Sequence, residues 1–143
     1  IGNLDALPAK ARRQLDATRE ATAGNERMVL TLALSYGSRQ EILGAVQNLA
    51  RRSANGELQP EAITEADIAQ ALWTHDLPDP ELVIRTSGEQ RISNFLLWQI
   101  SYAEFVFLPV LWPDFSKEDL VEALEQYAGR ERRLGKTSEQ LTA

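Results

Sequence analysis

The chain has 143 residues, 43% hydrophobic and 25% charged, enough for one domain with a core of its own. A formal net charge of -6 and a pI near 4.8 exclude a general nucleic-acid binder, which needs a basic field. The absence of cysteine excludes disulfides and thiolate chemistry and fits a reducing cytosol, and no apolar run approaches the ~20 residues that span a bilayer.

The chain opens "IGNLDALP", without Met and without a targeting pattern; Ile1 to Asn3 reads as the tail of a strand turning into a helix, and the sequence as a piece of a longer one. Residues Pro8 to Ala23 predict a helix, stopped by Gly24-Asn25. Arg27 to Tyr36, "RMVLTLALSY", is almost continuously apolar or β-branched, the mark of a strand covered on both faces. A helix is expected from Ser38, with Ser38 and Glu41 as a capping box and an apolar stripe of Ile42, Leu43, Val46, Leu49 and Ala50. A shorter helix starts near Thr64, with Asp67 in the box position. "LVIRT" reads as a second strand, Phe95 to Tyr102 as a helix apolar on most sides, and "FVFLPV" as a third strand ended by Pro109. A last helix, "SKEDLVEALEQYAGRERR", is N-capped by Ser116, and residues from about 136 form a polar tail.

Strands alternating with helices predict an α/β fold, a parallel sheet with helices on both faces, in one domain spanning residues 1–143. Three strands are few for such a sheet, so an N-terminal part is expected to be missing.

The chemistry concentrates between Glu81 and Gln99, "ELVIRTSGEQRISNFLLWQ". Ligands of open α/β sheets bind beyond the carboxyl ends of the strands. Arg85 closes a strand there, and Arg91 and Ser93 follow before the expected helix. Two guanidinium groups, a hydroxyl and free helix N–H groups suit a phosphate or diphosphate, with Gly88 letting the backbone bend toward the anion. Equally, Arg85 and Arg91 can pair with Glu81 and Glu89 while Ser93 only caps the helix. Glu104 on its own reads as an exposed strand-end acid, and "RERR" as a helix end whose cations favour the dipole. His75, the only histidine, fits no catalytic motif.

The run "DPELVIRTSGEQRISNFLLWQISYAEFVFLPVLWPDF", together with "SYGSRQEI" and "RERRLG", resembles the cis-prenyltransferase family, in particular its bacterial undecaprenyl diphosphate synthases (isoprenyl transferases), over essentially the whole chain. The resemblance implies condensation of isopentenyl diphosphate onto an allylic diphosphate such as farnesyl diphosphate, with magnesium (Mg2+), to give a polyprenyl (undecaprenyl) diphosphate for the cell-wall lipid carrier. By position it implies that Arg85, Arg91, Ile92 and Ser93 hold the isopentenyl diphosphate headgroup. It likewise marks Glu104 as the magnesium-associated carboxylate. Arg133 and Gly135 are implied to reach across a homodimer to the partner's diphosphate. Arg39 has a counterpart in the family, and a structural ion pair is expected of it.

Two substitutions depart from the family pattern: Gln90 stands where some members carry a histidine near the metal, and Ser87 where many have glycine. The larger departure is that the family's N-terminal segment, with the aspartate that serves magnesium and catalysis, occurs nowhere in this sequence. No catalytic residue is therefore assigned, and the residues present are expected to form the C-terminal part of a catalytic domain, inactive alone. A cis-prenyltransferase of another product length, and a non-catalytic partner subunit or diphosphate-binding fragment, are the alternatives; the intact "RTSGEQRISN" loop speaks for a catalytic chain. The expected location is cytoplasmic, with transient contact at the membrane surface through the lipid product.

Overall fold

The structure, a computed structural model, describes residues 1–131; Arg133, Gly135 and the expected tail lie outside the described residues. The described residues fall into two compact units, residues 1–78 with 94–96, and residues 79–93 with 97 onward.

The first unit holds three helices, α1 (Ala9–Thr22), α2 (Ser38–Ala54) and α3 (Glu65–Ala71), with α2 packed on α3. The strand expected over Arg27 to Tyr36 does not form. Instead Ile1 N donates to Leu32 O (2.8 Å), Leu34 N to Ile1 O (2.9 Å) and Asn3 N to Ser35 O (3.2 Å). Bonds from Ile1 to residues on either side of Ala33 follow the slanted pattern of parallel pairing. Among the described residues Ile1–Asn3 pairs with this segment, and Met28, Val29 and Leu30 are 75–79% exposed rather than covered on both faces. The close approach requires Gly2: at φ +113° a Cβ would stand 2.1 Å from Leu34 O.

The capping box expected at Ser38 is also absent. Gly37, extended at φ -154°, is the N-cap, and Ser38 is already helical and buried. The first N–H groups are taken by Asn94 instead: Ser38 N donates to Asn94 O and Arg39 N to Asn94 Oδ1, both at 2.9 Å. The buried stripe of α2 is Ser38, Glu41, Ala45 and Leu49, at helical spacing, and leaves Leu43 and Val46 more than half exposed. At α3 the expected box is present: Thr64 N donates to Asp67 Oδ2 (2.9 Å) and Asp67 N to Thr64 Oγ1 (3.3 Å).

The second unit contains a parallel pair, β1 (Leu82–Arg85) and β2 (Glu104–Phe107), in the register Leu82↔Glu104 to Arg85↔Phe107. α4 (Lys117–Ala128) starts at a Ser116–Asp119 capping box and packs on β2. Val106, Leu108 and Ala123 form the core there, surrounded by Leu82, Ile84, Val110 and Phe115. Ala123 is 0% exposed, and its lone methyl lets the helix approach the strand closely. α4 ends at Ala128 with Gly129 as C-cap, and Arg130 is no longer helical.

The α/β class with a parallel sheet stands, with two strands rather than three among the described residues. The helix expected over Phe95 to Tyr102 is replaced by turns. Leu96, near the start of that span, and Ser93 and Asn94 just before it have φ of +46°, +55° and +59°, left-handed values that bar a right-handed helix from beginning there.

Candidate functional site

Arg85 ends β1, where its carbonyl accepts from Leu108 N (2.8 Å). Its backbone is thereby fixed, while among the described residues the half-buried guanidinium has no ion-pair partner. The chain then turns through two consecutive left-handed residues, Ser87 at φ +66° and Gly88 at +65°. Ser87 N donates to Val110 O (2.8 Å) and Gly88 N to Leu108 O (2.9 Å). Gly88 thus bends the loop back onto the segment after β2, and these N–H groups are engaged there rather than offered to an anion. Ser87 occupies a conformation that glycine adopts without strain, so this departure bears on the turn itself.

Arg91 is exposed and forms an ion pair with Glu89, as the alternative sequence reading allowed. Glu81 does not pair with Arg85; its Oε2 accepts from Tyr127 Oη (3.2 Å). Ile92 and Ser93 are exposed, and with no helix after Ser93 the expected helix N–H groups and dipole are absent. What remains at the carboxyl end of β1 is one loop carrying two guanidinium groups and a hydroxyl, the donors that bind phosphate oxygens through side chains.

Glu104 opens β2, opposite Leu82, whereas Arg85 pairs with Phe107. Three residues of strand, about 10 Å, separate the two positions, so the structure does not gather Glu104 with the arginines in one spot. Glu104 Oε2 accepts from Arg130 Nη1 at 2.8 Å, with side chains 28% and 35% exposed, and Glu104 N donates to Glu81 O (2.9 Å). Among the described residues no group of three or more His, Cys, Asp or Glu could hold a metal ion. Magnesium commonly takes one or two carboxylates and completes its shell with substrate phosphates and water. A single partly buried carboxylate fits that shared shell and not a cage of protein ligands alone.

His75 donates from Nδ1 to Leu72 O and contacts Asp76, both at 3.1 Å, consistent with a local structural role. The ion pair expected of Arg39 is absent among the described residues, where its backbone N is held by Asn94 instead.

Sequence reasoning missed a polar cluster in the first unit. Glu41, 1% exposed, accepts from Tyr36 Oη (2.5 Å) and Trp73 N (2.9 Å). The Tyr36 ring meets Trp73 and Phe95 edge-on, each at 5.8 Å. Burial first, and then the hydrogen bond to Glu41, push the Tyr36 phenol up to about 12. Glu41, placed just before Ile42 at the head of the apolar stripe of α2, was the available signal. Beside it lies an open cleft of about 920 Å³ whose lining includes Arg12, Tyr36, Gln40, Trp73 and Asn94, and none of the expected site residues.

Comparison with known proteins agrees with the motifs. The family profile described as "Putative undecaprenyl diphosphate synthase" matches residues 1–135. An isoprenyl transferase of Geobacter sulfurreducens is 50% identical over 99% of this chain and 57% of its own length. A ditrans,polycis-undecaprenyl-diphosphate synthase ((2E,6E)-farnesyl-diphosphate specific) of Vibrio vulnificus is 48% identical over 100% of this chain and 57% of its own. The chain thus spans little more than half the length of these relatives. Among solved structures, lavandulyl diphosphate synthase from Lavandula x intermedia, in complex with dimethylallyl diphosphate, superposes with a TM-score of 0.92 at 38% identity, covering 95% of this chain and 58% of that one. A probable undecaprenyl diphosphate synthase from Campylobacter jejuni gives 0.77 at 36% identity, covering 95% and 61%.

Proposed function

Because the chain belongs to the undecaprenyl diphosphate synthase family of prenyl transferases, we propose that it is part of an enzyme that elongates a cis-prenyl chain, joining isopentenyl diphosphate to an allylic diphosphate such as farnesyl diphosphate. The observation that carries the reading is the loop from Arg85 to Ser93 at the carboxyl end of β1, with cationic and hydroxyl side chains and, at Arg85, a guanidinium without an ion-pair partner among the described residues. In this reading Arg85 and Arg91 clamp the isopentenyl diphosphate headgroup, Arg91 exchanging Glu89 for a diphosphate oxygen. Ser93 donates its hydroxyl to the same group, and Ile92 lies against the headgroup's isoprenoid end. Arg133 and Gly135 complete that clamp across a homodimer. Catalysis then rests on placing the alkene and stabilising diphosphate as it leaves the allylic carbon. When bound, magnesium supplies charge neutralisation to the diphosphate oxygens, and Glu104 is the residue proposed to hold it. The location proposed is cytoplasmic, with the membrane met through the polyprenyl product; among the described residues no helix is long and apolar enough to cross a membrane.

Calorimetric titration with isopentenyl diphosphate tests the clamp. Arg85→Ala and Arg91→Ala are each expected to weaken binding by about ten- to a hundredfold, the range for hydrogen bonds to charged groups. Parent-like affinity in both variants overturns the assignment. The likeness to lavandulyl diphosphate synthase supports a second reading, a prenyl transferase with another product, which product analysis of the enzyme distinguishes by chain length.

A further inference from the structure

We propose that Arg130 and a divalent cation compete for the Glu104 carboxylate, so that cation binding at Glu104 and the seating of the α4 terminus on β2 oppose one another. The inference rests on the metal role proposed for Glu104. Arg130 follows the C-cap of α4, its backbone N donating to Tyr127 O (3.1 Å), and its Nη1 lies 2.8 Å from Glu104 Oε2. One turn earlier Tyr127 Oη donates to Glu81 (3.2 Å), whose carbonyl accepts from Glu104 N (2.9 Å). Two contacts therefore strap the end of α4 to the starts of both strands.

A guanidinium and a divalent cation repel each other when they share one carboxylate. Glu104 is held by the β ladder, so Arg130, on its flexible stem, is the member that moves. Linkage makes the coupling reciprocal: whatever cation binding does to the strap, the strap does to cation binding.

Manganese serves as the probe, titrated together with inorganic diphosphate into the purified protein and its variants and followed by electron paramagnetic resonance. Arg130→Met is expected to bind it about two- to fivefold more tightly than the parent, from the modest strength of partly exposed pairs. Arg130→Lys keeps the competing charge and should stay near the parent, which separates charge from folding damage. Hydrogen exchange in the last turn of α4 should quicken with manganese in the parent and not in Arg130→Met. If Glu104→Gln abolishes the site while Arg130→Met leaves affinity unchanged or weaker, the competition is overturned and the metal role stands. If Glu104→Gln binds as the parent does, or the parent shows no site, the metal role falls and the competition with it.

Discussion

At Glu41 a buried carboxylate takes hydrogen bonds from the Tyr36 hydroxyl and the Trp73 N–H, and so joins the segment before α2 to the one after α3. Truncation to alanine leaves two donors without this acceptor, and Glu41→Ala should cost about 2–4 kcal/mol of stability in urea unfolding. Glu41→Gln should cost less, because an amide oxygen still accepts. The Tyr36 phenol supplies a pH signature. Its folded value lies above the ordinary 10.0, so the folded state keeps a proton that the unfolded state releases. Stability is therefore undiminished below pH 10 and falls as pH rises from 10.0 to about 12. Tyr36→Phe should remove that loss, and Glu41→Gln should lower the titration seen by ultraviolet absorbance, since only burial then opposes the phenolate. A Tyr36 titration unmoved by Glu41→Gln contradicts the hydrogen bond.

At the scale of elements, the start of each helix is governed by which side chain reaches its first N–H groups. α3 and α4 carry their own caps, Thr64 with Asp67 and Ser116 with Asp119, legible as residue pairs three apart. α2 does not, because Asn94, distant in sequence, occupies its first N–H groups and Glu41 is turned inward. Ser116→Ala should destabilise α4 by about 1 kcal/mol, measured by thermal unfolding. The Ser116 and Thr64 hydroxyls first, and their backbone N–H groups next, hold the Asp119 and Asp67 carboxyls below the usual value of 3.8. The contribution of both boxes is present above that value and lost as pH falls through the lowered ones. Ser116→Ala should accordingly flatten the acid limb of the stability profile, and an unchanged limb contradicts the box.

Across the whole molecule, apolar side chains stay at the surface of both units: Met28, Val29 and Leu30 in the first, and Leu111, Trp112, Leu120, Val121 and Leu124 in the second. Where such side chains adjoin, exposed apolar surface marks an interaction site. The homodimer proposed above predicts sedimentation of the enzyme at twice its protomer mass, with Trp112→Glu shifting the equilibrium toward monomer. A parent chain that sediments as a monomer at every concentration removes the homodimer from the proposal.

The amino-acid sequence alone determined whatever depends on neighbours in the chain: α1, the boxes of α3 and α4, the strands around Val83 and Val106, and the cationic loop with its family motif. Those signals are local because a cap, a helical stripe or a β-branched run acts within a few residues. Tertiary structure decided the rest. The apolar run from Arg27 to Tyr36 had strand propensity, yet no strand forms there. Phe95 to Tyr102 had a helical pattern, yet left-handed backbone at Ser93, Asn94 and Leu96 bars a helix from beginning there. The register, with Leu82 opposite Glu104, put the carboxylate and Arg85 at opposite ends of one parallel pair and brought Arg130 to Glu104. Pairing partners and register are set between segments far apart in sequence, where no local pattern reaches.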